Sequence, residues 1–124
     1  MFSHIMIGTN DLDRAKSFYD TVLGTLGVPP ARVDGHRIFY MTPGGIFSVS
    51  KPIDGEPATC ANGGTIGFAA SSPALADAWH AAGVAAGGTS IEDPPGVREG
   101  AAGKLYLAYL RDPDGNKICA LHRM

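Results

Sequence analysis

Hydrophobic and polar positions follow the same order twice along the chain. A short apolar segment at residues 4–8 precedes a stretch in which apolar side chains recur every three or four positions, at Leu12, Ala15, Phe18, Tyr19, Val22, Leu23 and Leu26. This spacing places them on one face of a helix. A shift of 61 residues lays Ala15 on Ala76 and Phe18 on Trp79, and residues 4–8 on residues 65–69. The two halves therefore share one plan.

Local signals mark the ends of both predicted helices. Asn10 is a suitable N-cap for the first helix, and Asp13 lies in the first turn, where the helix dipole favours negative charge. Gly27 is predicted to end it. Ser72 is the predicted cap of the second helix, and Pro73 occupies its first position.

Short strand patterns follow each helix. The predicted strands are residues 31–33, 37–42 and 46–50 in the first half, and residues 89–91, 105–111 and 117–122 in the second. Each half then reads strand, helix, three strands, with a joint near residues 58–64. We expect a single domain over residues 1–124, with module 1 at about residues 1–60 and module 2 at about residues 63–124.

Composition excludes several classes of protein. The chain has 124 residues, 44% hydrophobic and 18% charged, with a net charge of −2, which suits one packed domain. Without a basic patch, nucleic acid is not an expected partner. The apolar run at residues 105–110 is too short to span a membrane, and the N-terminus does not read as a signal peptide. Two cysteines make no disulfide framework, so a cytoplasmic location is expected.

Two segments carry a family resemblance. The opening segment, residues 4–20, and the late segment Leu-Arg-Asp-Pro-Asp-Gly-Asn-Lys-Ile at residues 110–118 resemble the vicinal oxygen chelate superfamily. That group holds glyoxalase I, bleomycin-resistance proteins and extradiol dioxygenases. The resemblance implies an α+β fold in which two βαβββ modules form a cupped mixed sheet with the helices outside. It also implies a ligand cleft, often with a divalent metal, and a homodimer.

The resemblance places metal ligands on four strands, at His4, Ser48 (or Ser50), Thr65 and Cys119. Only His4 is a residue type that such a site normally uses. Neutral hydroxyls donate weakly to a divalent cation, and His4 with Cys119 supplies fewer ligands than the three of a catalytic zinc site. We therefore expect no resident metal and no glyoxalase I activity, which needs a base and a metal.

Two alternatives would give the cleft a catalytic group. Glu92 or Glu99 could enter it from a loop and supply the missing carboxylate. Cys119 could act as a nucleophile if His4 lowered its pKa, although a buried cysteine is more often a small core residue.

A loop and several rings complete the candidate site. Residues 93–104 have no regular pattern and form either a mobile lid, with Arg98 and Lys104 clamping an anionic ligand, or a plain surface connection. Residues 36–37 reach the cleft rim or form an exposed turn. Aromatic residues are expected on the cleft walls, drawn from Phe39, Tyr40, Tyr106 and Tyr109.

The leading hypothesis is a glyoxalase/bleomycin-resistance-like protein that binds a small organic ligand without a metal. The predicted ligand-binding residues are His4, Ser48, Thr65, Arg98, Tyr109 and Cys119. The alternative is a metal-dependent lyase, isomerase or dioxygenase of the same superfamily.

Overall fold

Each half of the chain forms one sheet with one helix packed against it. The computed structural model describes all of residues 1–124. The first half contains β1 (His4–Gly8), α1 (Leu12–Gly24), β2 (Arg32–Asp34), β3 (Arg37–Thr42) and β4 (Gly45–Ser50). The second contains β5 (Ile66–Ala69), α2 (Pro73–Ala85), β6 (Thr89–Ser90), β7 (Gly96–Gly100), β8 (Gly103–Arg111) and β9 (Lys117–Arg123).

The two sheets repeat one topology. Sheet 1 has the strand order β1-β4-β3-β2, and sheet 2 has the order β5-β9-β8-β6 with β7 added beside β8. In each sheet the first strand runs parallel to the last, and the others pair antiparallel. The helices are offset by 61 residues, since Leu12 corresponds to Pro73 and Gly24 to Ala85. The α+β fold of two βαβββ modules is thus confirmed.

The first helix begins one residue later than predicted. Asp11 is its N-cap and accepts a hydrogen bond from Arg14 N at 3.0 Å. Asn10 is used elsewhere: its Oδ1 accepts from Ala58 N at 2.6 Å and its Nδ2 donates to Ala58 O at 3.3 Å. Because both ends of the Asn10 amide bind this backbone, its side chain is not available for the cap.

The first helix also ends earlier than predicted. It stops at Gly24, and the hydroxyl of Thr25 donates to Val22 O at 2.6 Å. Gly27 lies beyond the helix with φ +85°, a conformation that favours glycine. The second helix begins as predicted, because Ser72 accepts from Leu75 N and Pro73 is the first helical residue. Both helices have 13 residues, and neither is long and apolar enough to cross a membrane.

The main core lies between the helices and the sheet faces that they cover. Phe18 and Trp79, predicted as matching anchors, are both buried there. Tyr40 also points to the helix side, since its hydroxyl donates to Asp20 at 2.8 Å. At Gly83 an added Cβ would lie 2.2 Å from Leu110 Cδ1, so a larger residue here would require the Leu110 side chain to move.

The opposite faces of the sheets carry the remaining strand residues and are called the open face below. Alternation along each strand assigns them. They are residues 4, 6, 8, 32, 34, 37, 39, 41, 46, 48 and 50 in sheet 1 and residues 67, 69, 89, 96, 98, 100, 103, 105, 107, 109, 111, 117, 119, 121 and 123 in sheet 2. Of the predicted cleft aromatics, Phe39 and Tyr109 lie on this face. Tyr106 instead reaches α2, where its hydroxyl donates to Asp77 at 2.7 Å.

A polar turn at residues 112–116 joins the modules. Asp114 accepts hydrogen bonds from Thr9 Oγ1 at 2.6 Å, Asn10 N at 2.9 Å and Arg14 at 3.0 Å. Asn116 Nδ2 donates to Gly8 O at 3.0 Å. The turn of module 2 thereby fixes the connection between β1 and α1.

The predicted lid contains a strand that the sequence analysis did not assign. Residues 96–100 form β7, which pairs antiparallel with the start of β8 through Gly100 and Gly103. Gly103 has φ +97°, as a tight turn here requires. The irregular loop expected over residues 93–104 is therefore mostly a β-hairpin.

Candidate functional site

The open face of sheet 1 is organised in three rows of residues across its strands. The row at the carboxyl end of β1 is Gly8, Ser50, Arg37 and Asp34; the middle row is Met6, Ser48, Phe39 and Arg32; the third is His4, Ile46 and Met41. His4 therefore lies one row away from Ser48. Successive rows on one face are about 7 Å apart.

The middle row contains the hydroxyl of Ser48, which lies between the apolar residues Met6 and Phe39. Ser48 is 0% exposed, and its Oγ has no hydrogen-bond partner in the protein. An unpaired buried hydroxyl is costly. The neighbouring Met6 is 40% exposed, and methionine side chains change shape easily.

The row next to it holds a basic side chain without a counter-ion. Arg37 is half-buried, its Nε is sealed from solvent, and no protein acceptor lies within hydrogen-bonding distance of that atom. The molecule has four ion pairs, and none includes Arg37. The sequence allowed residues 36–37 to lie either at the rim or in an exposed turn. In the structure Arg37 lies on β3 between Ser50 of β4 and Asp34 of β2, without an ion pair to Asp34.

Cys119 and Tyr109 lie side by side on the open face of sheet 2. They are directly opposite each other in the β8–β9 ladder, and Gly67 flanks Cys119 on β5. An added Cβ at Gly67 would lie 3.2 Å from Cys119 Sγ. Burial raises the pKa of the Cys119 thiol to about 11, so the thiol is protonated at neutral pH. Burial also raises the pKa of Tyr109.

An ion pair between Lys117 and Glu92 lies next to Tyr109. Lys117 lies over the Tyr109 ring, with Nζ 5.0 Å from the ring centroid, and pairs with the carboxylate of Glu92. Glu92 has φ +58°, which is unusual for a residue with a side chain. Of the two glutamates considered from sequence, Glu92 thus lies beside the cleft residues, whereas Glu99 pairs with Lys104 on the β7–β8 hairpin.

The four positions implied for a metal do not form a suitable donor set. His4 is exposed and shares a 2.8 Å hydrogen bond with Ser3. Thr65 is exposed and lies just before β5. Ser48 offers a neutral hydroxyl, and Cys119 a protonated thiol. No three His, Cys, Asp or Glu side chains converge anywhere in the chain, so these residues do not fit a divalent metal.

Arg98 is partly occupied by its own loop. Its Nη2 donates to Asp93 O at 2.9 Å and to Pro94 O at 3.1 Å. The side chain therefore braces the start of the β7–β8 hairpin. It is half-buried and lies opposite Leu105 on the open face of sheet 2, next to Leu107. Its role as an anion clamp stays a prediction.

The most apolar cavity lies elsewhere. A cavity of about 410 Å³ opens between the carboxyl end of α1, the helix-facing side of sheet 1 and β5. Eleven of its 16 lining residues are hydrophobic. Of the six predicted ligand-binding residues, only His4 lines it. This cavity is therefore distinct from the open face around Ser48 and Cys119.

Comparison with known proteins defines the class of the molecule. The profile of the Glyoxalase/Bleomycin resistance protein/Dioxygenase superfamily matches residues 1–120. A crystal structure of a glyoxalase/bleomycin resistance protein from Albidiferax ferrireducens is 63% identical, with a TM-score of 0.97 and 98% of each chain covered. The chain therefore belongs to the Glyoxalase/Bleomycin resistance protein/Dioxygenase superfamily, as the sequence resemblance implied.

More distant structures share the fold. A glyoxalase-related enzyme from Fulvimarina pelagi is 19% identical with a TM-score of 0.75, and the match covers 99% of this chain and 88% of that one. Lactoylglutathione lyase from Agrobacterium tumefaciens is 22% identical with a TM-score of 0.68, covering 98% and 92%. The comparison with curated proteins found no match.

Proposed function

We propose that this protein binds a small organic ligand on its open face without a resident metal ion. The observation that carries the proposal is the donor chemistry at the four positions described above. A hydroxyl at Ser48 and a protonated thiol at Cys119 occupy two of them, and no group of three His, Cys, Asp or Glu side chains forms around His4. A divalent metal would lack the charged or imidazole ligands that hold it.

The surroundings support binding of an organic molecule. Met6 and Met41 are 40% and 47% exposed on sheet 1, and Phe39 lies on the same face, in the row of Met6 and two residues before Met41. Tyr109 supplies a ring on sheet 2, with an ammonium group above it. Apolar and aromatic walls with a few polar groups are typical of small-molecule sites.

The protonated thiol also argues against nucleophilic catalysis by Cys119. A thiolate is the reactive form, and burial disfavours it here. His4 shares its hydrogen bond with Ser3 and none with Cys119, so His4 is not in place to remove the thiol proton. Binding without chemical transformation therefore agrees best with the site.

Metal analysis of the native protein tests the proposal. Protein purified without chelator or affinity metal is expected to contain well under one equivalent of nickel, zinc, manganese or iron by plasma mass spectrometry. His4→Ala is expected to leave that content unchanged, and His80→Ala on α2 serves as the matched control. A stoichiometric metal that His4→Ala removes and His80→Ala retains would overturn the proposal.

We further propose a homodimer located in the cytoplasm. Both cysteines are free, and Cys60 is exposed, which suits a reducing compartment. Each sheet also presents an edge strand with an exposed valine, Val33 on β2 and Val97 on β7. Pairing with a second copy would cover such edges.

A further inference from the structure

We propose that the open face of sheet 1 selects an organic carboxylate, with Arg37 as the residue that binds the anionic group. This inference rests on the proposed function and names the class of ligand. It derives from a cavity of about 450 Å³ between the carboxyl end of β1 and the linker at residues 51–59, called the Arg37 pocket below.

The Arg37 pocket has a fixed wall. Its floor includes Met6, Gly8 and Arg37, and the linker forms the opposite side. The linker lies so close that an added Cβ at Gly8 would be 3.1 Å from Ala58 Cβ. Asn10 holds Ala58 in place through two hydrogen bonds to its backbone. The cavity is therefore built into the fold before any ligand arrives.

The charges of the pocket favour an anion. Arg37 and Lys51 line it, and neither takes part in any ion pair of the molecule. One carboxylate, that of Asp54, also lines it, and its Oδ1 accepts a hydrogen bond from Glu56 N at 3.0 Å. Two cations against one anion give the pocket lining a net positive charge. Asp34, opposite Arg37 on β2, does not line the pocket and forms no ion pair with Arg37.

Arg37 is the stronger of the two cations as a binding group. Its side chain is half-buried with Nε sealed from solvent and unpaired, whereas Lys51 is exposed. A partly desolvated guanidinium without a partner gains more from a counter-ion than a solvated ammonium does. Its planar fork also matches the two oxygens of a carboxylate.

The neighbouring rows identify the rest of the ligand as apolar. Met6 lies on the pocket floor, and Phe39 follows Arg37 on the same face of β3. Because rows are about 7 Å apart, a carboxylate at Arg37 would place a ring of benzene size over the middle row. A bare inorganic anion would leave these side chains uncovered. The structure therefore favours an aromatic or alicyclic carboxylate.

Methyl NMR of the full-length protein tests this assignment. The four methionines are labelled with ¹³C-methyl groups, and Met6 reports on the pocket while Met124 reports on the exposed C-terminus. The probes are benzoate, its neutral isostere benzamide, and inorganic phosphate. Benzoate is expected to shift Met6 saturably and to bind about tenfold or more tightly than benzamide, since only benzoate pairs with the guanidinium.

Variants locate the selectivity. Arg37→Gln is expected to remove most of the preference for benzoate, and Arg37→Lys to retain part of it, because the charge stays while the fork is lost. Arg123→Gln, at an exposed unpaired arginine on β9, is the matched control and should keep the full preference. Unchanged thermal melting of each variant confirms folding.

The contrary results separate the two proposals. Equal affinities for benzoate and benzamide, measured from the Met6 titrations, would overturn selection by Arg37 while leaving ligand binding on the open face intact. Phosphate competing as strongly as benzoate would overturn the organic carboxylate in favour of a bare anion site. No Met6 shift with millimolar benzoate would also overturn the carboxylate assignment. The failure of the proposed function has a different signature, a stoichiometric metal bound through His4.

Discussion

The hydroxyl of a single residue, Tyr19, connects the two modules. It is 0% exposed, and its hydroxyl donates to Asp112 Oδ2 at 2.6 Å across the module boundary. Burial and the Asp112 carboxylate raise the pKa of Tyr19 well above its ordinary value, so the hydroxyl stays protonated as a donor.

Removal of this hydroxyl is expected to destabilise the fold. Tyr19→Phe should lower the free energy of unfolding by about 1–3 kcal/mol, because a buried hydrogen bond to a charged group is lost. Urea unfolding measures the change. Tyr106→Phe is the matched control, since its hydroxyl meets Asp77 near the surface, and it should cost less. Equal costs for the two variants would contradict this account of Tyr19.

The Cys119 thiol gives a second prediction for a single residue. With its pKa raised to about 11 by burial, its thiolate fraction at neutral pH is about a hundredfold below that of an unperturbed thiol. In a Cys60→Ser variant, iodoacetamide labelling followed by mass spectrometry should be slow at pH 7 and accelerate with rising pH. Rapid labelling at neutral pH would contradict the protonated state.

The same shift has a consequence for stability. The folded state holds the thiol proton more tightly than the unfolded state, whose thiol pKa is near 9.0. The contribution is therefore present in full below about pH 9 and is lost as pH rises towards 11.

Single residues also show where the sequence was sufficient. Strand alternation placed Ser48 and Cys119 on the face away from the helices, and the register agrees. Alternation did not show that Tyr40 faces the helices and Tyr109 the open face, because the sequence did not show which side of β3 and β8 faces the helices. Arg37 was ambiguous for a physical reason: a residue directly after a polar turn can begin the strand or extend the turn.

The turn at residues 112–116 acts as an element that locks the two modules together. The Asp114 side chain is only 4% exposed and accepts hydrogen bonds from three residues of module 1. Its charge also lies near the beginning of α1, where the helix dipole is positive. The turn therefore stabilises the start of a helix that is 100 residues away in sequence.

Loss of the Asp114 carboxylate is expected to loosen that helix start. Asp114→Ala should lower the free energy of unfolding by roughly 1–3 kcal/mol, because two backbone or hydroxyl donors and Arg14 lose their acceptor. Amide hydrogen exchange should accelerate at residues 9–15. Asp13→Ala, at an exposed carboxylate in the same helix turn, is the control. Unchanged exchange in Asp114→Ala would rule out the lock.

Elements with strong local signals were predictable, and those fixed by distant contacts were not. Ser72 and Pro73 began α2 as expected, because a cap and a proline act locally. Asn10 failed as a cap because Ala58, far along the chain, binds its amide. Strand β7 gave no alternating pattern, with Val97 its only large apolar residue, and it forms because β8 offers a free edge.

At the scale of the whole molecule, exposed edges predict self-association. Val33 is 60% exposed on β2 and Val97 is 49% exposed on β7. Sedimentation at micromolar concentration is expected to give twice the 12.9 kDa chain mass. Val33→Lys or Val97→Lys should shift the protein towards monomer, because lysine protects strand edges.

The surface of α2 offers the control for this association. Val84 is 47% exposed on α2, away from any strand edge, and Val84→Lys should leave the dimer intact. A 12.9 kDa species for the parent chain at micromolar concentration would refute the dimer.

The fold as a whole was predictable, and the site only in part. The 61-residue repeat, which the helices follow, required no knowledge of side-chain contacts. The two cavities did require it: one arises where α1 ends short of β5, and the other where the linker returns over β1. Neither cavity follows from local patterns, so the position of Arg37 facing the linker across a cavity became known only from the three-dimensional structure.

A paramagnetic titration tests whether the open face binds its ligand without a metal ion. Met6 lies opposite Ser48 and two residues from His4, so a paramagnetic ion held at these positions would broaden its methyl NMR signal strongly. With one equivalent of Ni²⁺ or Mn²⁺, we predict that Met6 broadens no more than Met124. Selective loss of the Met6 signal, reversed by His4→Ala, would contradict the account.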